Sequence, residues 1–125
     1  MLQIANQTFT SRLLIGTGKF QSYSMMKSAI EEAKIEIATV ALRRMDFSAT
    51  TKDNILDFIP KNVQLMPNTS GARNAKEAIL YAQLAREATQ SNWIKIEVIN
   101  DPYYLLPDPI ETLKAVEFLA KEGFV

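Results

Sequence analysis

Short apolar runs of β character alternate along this chain with segments whose apolar residues recur at helical spacing. The runs cover residues 13–17, 35–42, 63–66 and 93–99, and Phe124-Val125 opens a fifth. Between the first two, Met25, Met26, Ala29, Ile30 and Ala33 follow the serines at 22 and 24 and predict a helix with one apolar stripe. Asn74 followed by Glu77 reads as a capping box opening a helix over residues 75–89, with Ala78, Ile79, Ala82 and Ala85 on one side. Asp108-Pro109-Ile110-Glu111 is a stronger start, with aspartate as N-cap, proline at the first helical position and glutamate three after the cap. That helix is expected to run through Leu113, Val116 and Leu119 and to stop at Gly123. A shorter helix over residues 54–59 ends before Pro60.

The expected strands start at 13, 35, 63, 93 and 124, separated by 22, 28, 30 and 31 residues. Those are the lengths of successive βα units, which dictate parallel strands and right-handed crossovers. At this pitch eight units would take roughly 225 residues, close to the usual barrel length of about 250. The fold expected is therefore α/β, of (β/α)8 TIM-barrel type. Residues 1–125 would form the N-terminal half of a single barrel domain: four βα units and the start of strand five. A doubly wound open sheet is the main competitor.

The run Trp93-Ile94-Lys95-Ile96-Glu97-Val98-Ile99 breaks the apolar pattern with two charges. Alternation puts Lys95 and Glu97 on one face, about 6.6 Å apart along the backbone, and Ile94, Ile96 and Val98 on the other. On a half-exposed antiparallel strand the two charges would simply face water. In a barrel the isoleucines and valine would meet the helices, while Lys95 and Glu97 would point inward among apolar side chains. A charged pair there needs a partner or a function: a buried Lys–Glu salt bridge, or catalysis by an amine nucleophile beside a proton-shuttling carboxylate.

Composition narrows the chemistry. The chain has neither cysteine nor histidine, which argues against zinc and iron–sulfur sites and against Cys–His or Ser–His pairs. No metal or cofactor is expected, and covalent chemistry falls to lysine first. Lys+Arg and Asp+Glu balance at 14 each, giving no footprint for nucleic acid. No apolar run approaches a membrane span, no signal peptide is evident, and a cytoplasmic setting is the default.

Three further clusters fall at the C-terminal ends of expected strands, where barrel active sites are built. Gly16-Thr17-Gly18-Lys19 is not a Walker loop, since Leu13 and Phe20 stand at defining positions, and a tight turn is the plainer reading. In Arg43-Arg44 one arginine, Arg43, is a candidate for holding a phosphate or carboxylate; a surface or interface role competes. Pro67-Asn68-Thr69-Ser70-Gly71 offers the Asn68 amide and hydroxyls to a ligand, or forms a plain turn.

Leu-Leu-Ile-Gly-Thr-Gly-Lys-Phe (13–20), Val-Ala-Leu-Arg-Arg (40–44), Pro-Asn-Thr-Ser-Gly (67–71), Trp-Ile-Lys-Ile-Glu-Val-Ile (93–99) and Leu-Leu-Pro-Asp-Pro-Ile-Glu-Thr-Leu-Lys-Ala (105–115) stand in an order that resembles thiazole synthase of thiamine biosynthesis. The resemblance runs from Leu13 to Val125. It implies a (β/α)8 enzyme that condenses 1-deoxy-D-xylulose 5-phosphate with dehydroglycine and sulfur to give the thiazole phosphate moiety of thiamine. The sulfur would arrive as a thiocarboxylate on a small ubiquitin-like carrier protein, and dehydroglycine from a partner enzyme. The family's imine-forming lysine matches Lys95, and its neighbouring carboxylate matches Glu97. A homo-oligomer is implied, in a cytoplasm or a plastid stroma.

Ser70 and Asn100 stand where the family more often has alanine and glycine, and little effect is expected of either. Length is the larger departure: family chains are about twice as long, so the phosphate-gripping loops and a further catalytic carboxylate should lie in a second half. Two other readings stand beside the enzyme. One is a non-catalytic half-barrel acting only in assembly, with Lys95 as a relic. The other is a different imine-forming barrel of the aldolase type.

Overall fold

The computed structural model describes residues 1–48 and 54–125. The chain divides into two compact units, Met1–Met66 and Pro67–Val125.

The first unit opens with a hairpin absent from the expected elements, β1 (Leu2–Ile4) against β2 (Gln7–Phe9). Ala5 turns it with a left-handed φ of 51°. Glycine or asparagine at that position is the usual signal for such a turn, and neither is present. Strand β3 (Leu14–Gly16) pairs in parallel with β4 (Ile37–Ala41), Leu14 opposite Ile37 and Gly16 opposite Thr39. Strand β5 (Gln64–Asn68) completes the order β3-β4-β5. Its first N–H donates to the Glu36 carbonyl at 2.8 Å.

Residues 37–40 of β4 are all buried, the continuous pattern of a strand covered on both faces. Ala38 and Val40 join the core with Met26, Ile30, Ile35, Met45, Ile55 and Val63. Helix α1 (Tyr23–Glu32) supplies Met26 and Ile30; Met25, expected on the same stripe, is exposed. Ser22 caps it by accepting the Met25 N–H at 3.2 Å. The strand expected from 35 begins two residues later, because the Ile35 N–H donates back to the Ile30 carbonyl (3.0 Å) and closes α1. It also ends earlier, since Leu42–Arg44 form a 3₁₀ turn. The short helix expected over 54–59 is a 3₁₀ turn, Ile55–Phe58, capped by the Asn54 side chain.

In the second unit α2 (Ala75–Thr89) buries Ala75, Ala78, Ala82 and Ala85, with Ile79 packed at the edge. Asn74 accepts the Glu77 N–H at 2.9 Å, but Glu77 reaches back to the N–H of Arg73 rather than of Asn74. Helix α3 (Pro109–Lys121) begins on Asp108, which accepts the Glu111 N–H at 2.9 Å. Its buried residues are Ala115 and Leu119, while Leu113 and Val116 are exposed. The reason lies in the contact with α2, where small residues meet along a narrow seam and leave the other apolar positions outside it. Gly123, at φ 80°, ends α3 as expected, with the Phe124 N–H reaching the Leu119 carbonyl at 3.1 Å.

The segment expected as the fourth strand, 93–99, is extended but pairs regularly only in part. Lys95 bridges in parallel to Asn68, and Ile99 bridges antiparallel to Pro107. On its other side Val125 donates to the Asn92 carbonyl (2.9 Å) and accepts from the Ile94 N–H (3.0 Å), in the parallel pattern. Among the described residues no helix is long and apolar enough to cross a membrane.

Candidate active site

Alternation along 93–99 divides the side chains as the sequence implies. Val98 is fully buried with Ala72, Ala75, Ala78 and Ala115, and Ile96 packs on the same cluster. Lys95 and Glu97 take the opposite face, Lys95 exposed and Glu97 half-buried. No ion pair joins them among the described residues, so the expectation of a buried Lys–Glu salt bridge is not met. Nor does this chain enclose the amine.

Lys95 is fixed through its backbone. Its N–H donates to the Pro67 carbonyl at 2.8 Å, and its carbonyl accepts from the Thr69 N–H at 3.2 Å. As bridge partners Asn68 and Lys95 share a face, so β5 delivers the Asn68 amide beside the lysine. Asn68 is buried, and its Oδ1 accepts the Ser70 N–H at 3.1 Å, which orients the amide over the turn that follows.

Thr69, which sequence reasoning passed over as one hydroxyl among several, is fully buried. Its Oγ1 accepts the Glu97 N–H and donates to the Glu97 carbonyl, both at 2.8 Å. Beyond Glu97 the chain stays anchored. Ile99 donates to the Ala72 carbonyl (2.9 Å), and the Val98 carbonyl accepts from Asp108 (2.8 Å). Asn100 donates to the Asp108 carboxylate at 2.8 Å, a contact that glycine cannot make, so the departure at this position adds a hydrogen bond to the N-cap of α3.

The remaining predicted residues belong to the first unit. Arg43 is exposed in the 3₁₀ turn after β4. Its neighbour Arg44, not singled out as a candidate from sequence, donates from Nη1 to the Thr17 carbonyl at 3.2 Å. Thr17, buried just past β3, donates from Oγ1 to the Thr39 carbonyl at 2.8 Å. Arg44 therefore ties the ends of β3 and β4 together. Neither Gly16 nor Gly18 takes a positive φ; Gly18 lies against the Arg44 guanidinium, where a Cβ would stand 3.6 Å from Nη1. The structure brings Lys95, Glu97 and Asn68 together within one unit, with Thr69 beneath them.

A family model described as thiazole biosynthesis protein ThiG matches residues 3–125. The thiazole synthase of Vibrio atlanticus is 55% identical over 125 residues, covering 100% of this chain and 49% of that protein. That of Cytophaga hutchinsonii is 57% identical over 125 residues, covering 99% and 48%. The chain thus spans about half the length of the curated relatives it matches. Among solved structures, the Amycolatopsis orientalis BexX/CysO complex includes a chain that superposes with a TM-score of 0.75 at 21% identity, over 98% of this chain and 50% of that one. That likeness establishes a shared α/β fold. With the family model matched along nearly its whole length, this chain belongs to the ThiG family of thiazole biosynthesis proteins.

Proposed function

We propose that this chain forms the lysine-bearing half of a thiazole synthase of (β/α)8 type, in which residues 1–125 are the N-terminal half of one barrel domain. The observation that carries the reading is Lys95 itself. It is an exposed amine with no ion-pair partner among the described residues, held by its backbone beside Asn68, with a carboxylate two residues along the same face. The substrates are 1-deoxy-D-xylulose 5-phosphate, dehydroglycine and the thiocarboxylate sulfur of a ubiquitin-like carrier. The structural neighbour BexX is found in a complex with CysO, and that complex motivates a protein partner here by analogy.

In the first step the neutral Lys95 amine adds to the ketone carbon, and the carbonyl oxygen takes up a proton from solvent to give a carbinolamine. Loss of that oxygen as water, with the nitrogen lone pair forming the C=N bond, leaves the protonated imine. Glu97 receives the proton that nitrogen sheds and returns one to the departing hydroxyl, then accepts the proton from the adjacent carbon as the imine becomes an enamine. Asn68, the bridge partner of Lys95, hydrogen-bonds the sugar's hydroxyls in this reading. The assembled enzyme is a homo-oligomer working in the cytoplasm, or in a plastid stroma.

The test is chemical trapping. The protein expressed full-length from its gene is incubated with 1-deoxyxylulose 5-phosphate and borohydride, and its mass is measured. A stable adduct on the peptide containing Lys95 is expected, absent in Lys95→Ala and also in Lys95→Arg, whose guanidinium cannot form the imine. An adduct of undiminished yield in either variant would remove the mechanism.

A further inference from the structure

The lysine–glutamate face sits where a regular strand ladder ends. In parallel pairing, the pattern set by Lys95 with Pro67 and Thr69 would continue with the Glu97 N–H on the Thr69 carbonyl, and the Glu97 carbonyl on the N–H of residue 71. Neither bond forms. The Thr69 carbonyl is turned away to accept the Ala72 N–H at 3.0 Å, and Gly71 takes a φ of 100° in the same turn. Glu97 would be left with two backbone groups unpaired. The Thr69 hydroxyl takes both, accepting from the N–H and donating to the carbonyl, each at 2.8 Å, from a side chain with no solvent exposure. One hydroxyl thus uses its donor and an acceptor lone pair on a single residue. It bridges the gap between the regular rung at Lys95 and the Ile99–Ala72 backbone bond beyond it.

We propose that Thr69 is a positioning residue for the imine chemistry, its buried hydroxyl locking the Glu97 peptide so that the carboxylate and the Lys95 amine face the same substrate. The inference rests on the reading of Lys95 as the imine-forming residue. Lys95 is held by main chain alone, whatever residue stands at 69, whereas Glu97 depends on this side chain. Losing the hydroxyl should therefore impair proton transfer more than substrate capture.

Valine matches threonine in shape and lacks the hydroxyl, while serine keeps it. In the full-length protein, Thr69→Val is expected to slow borohydride-trapped adduct formation roughly 10- to 100-fold, the scale on which small misplacements act. The substrate concentration for half-maximal trapping should stay within about threefold, since ground-state binding is untouched. Thr69→Ser should trap at nearly the wild-type rate. Amide hydrogen exchange at Glu97 should accelerate in Thr69→Val and not in Thr69→Ser. Trapping at the wild-type rate by a folded Thr69→Val, or equal slowing in Thr69→Ser, would overturn the proposal. If Thr69→Val does not fold, Thr69→Ala replaces it and the same two results decide. Absence of any adduct in the wild type would instead bring down the imine reading itself.

Discussion

At the scale of single residues, Lys95 and Glu97 could be read from sequence because period-two alternation assigns faces without knowledge of the fold. Their surroundings could not be read, because burial depends on what packs over a face. The lysine, expected to be enclosed, is exposed in this chain. Thr69 escaped notice for a related reason: its role is to pair backbone groups 28 residues away, and no local pattern marks a hydroxyl for that task. Backbone signs were also absent at Lys34, which closes α1 with φ 50°, a left-handed position where glycine is the usual choice. A side chain there is strained by its Cβ, and Lys34 is exposed, so no packing offsets the strain. Lys34→Gly should therefore raise stability, by about 0.5 kcal/mol after the entropy cost of glycine is subtracted. Urea unfolding measures this, and a lower midpoint in the variant would show that the strain is absent.

At the scale of elements, helices were legible wherever a cap announced them. Asn74 and Asp108 both bond the N–H three residues on, as their spacing predicts. The β1–β2 hairpin was not legible, since its strands are three residues each and its turn carries no glycine. A further link between elements lay outside local reasoning. Glu111, in the first turn of α3, accepts the N–H of Ala75 at 2.8 Å and so caps α2 from outside, while pairing with Lys114 at 2.6 Å. The Ala75 N–H first, and the Lys114 ammonium second, hold the Glu111 carboxyl below its ordinary value. A carboxyl lowered in the folded state stabilises fully above the unfolded value, and that contribution is lost as pH falls through the lowered one. The α2–α3 unit should accordingly weaken on acidification below the usual carboxylate range. In Glu111→Gln the amide oxygen can still accept from Ala75 but carries no charge. The gap in melting temperature between the two proteins should be widest near neutrality and close in acid. A gap that stays constant with pH would mean the charge of Glu111 contributes nothing.

At the scale of the whole molecule, the spacing of strand starts was the most informative signal, and it held because a βα unit has a length set by geometry rather than by particular residues. The parallel β3–β4 pair, the parallel bridge at Lys95 and the pairing of Val125 beside it all fall where that beat puts them. The faces of α3 were not legible, because a helix in such a fold meets several neighbours and its sequence does not say which are at hand. Ile110 and Leu113 are each 67% exposed, and Tyr103, Tyr104, Leu105 and Leu106 stand exposed in the loop before the helix. Exposed apolar side chains drive association in water, as do strand edges left without a partner. The 125-residue chain expressed alone should therefore elute in size exclusion as a species larger than its 14.1 kDa, increasingly so with concentration. Ile110→Lys with Leu113→Lys keeps helix propensity while adding charge to that stripe, and should shift elution toward the monomer. If the double variant associates as strongly as the parent, the apolar stripe of α3 is not the cause, and the unpaired β3 edge becomes the element to substitute next. A monomeric parent would mean that neither surface is sticky enough to matter at the concentrations used.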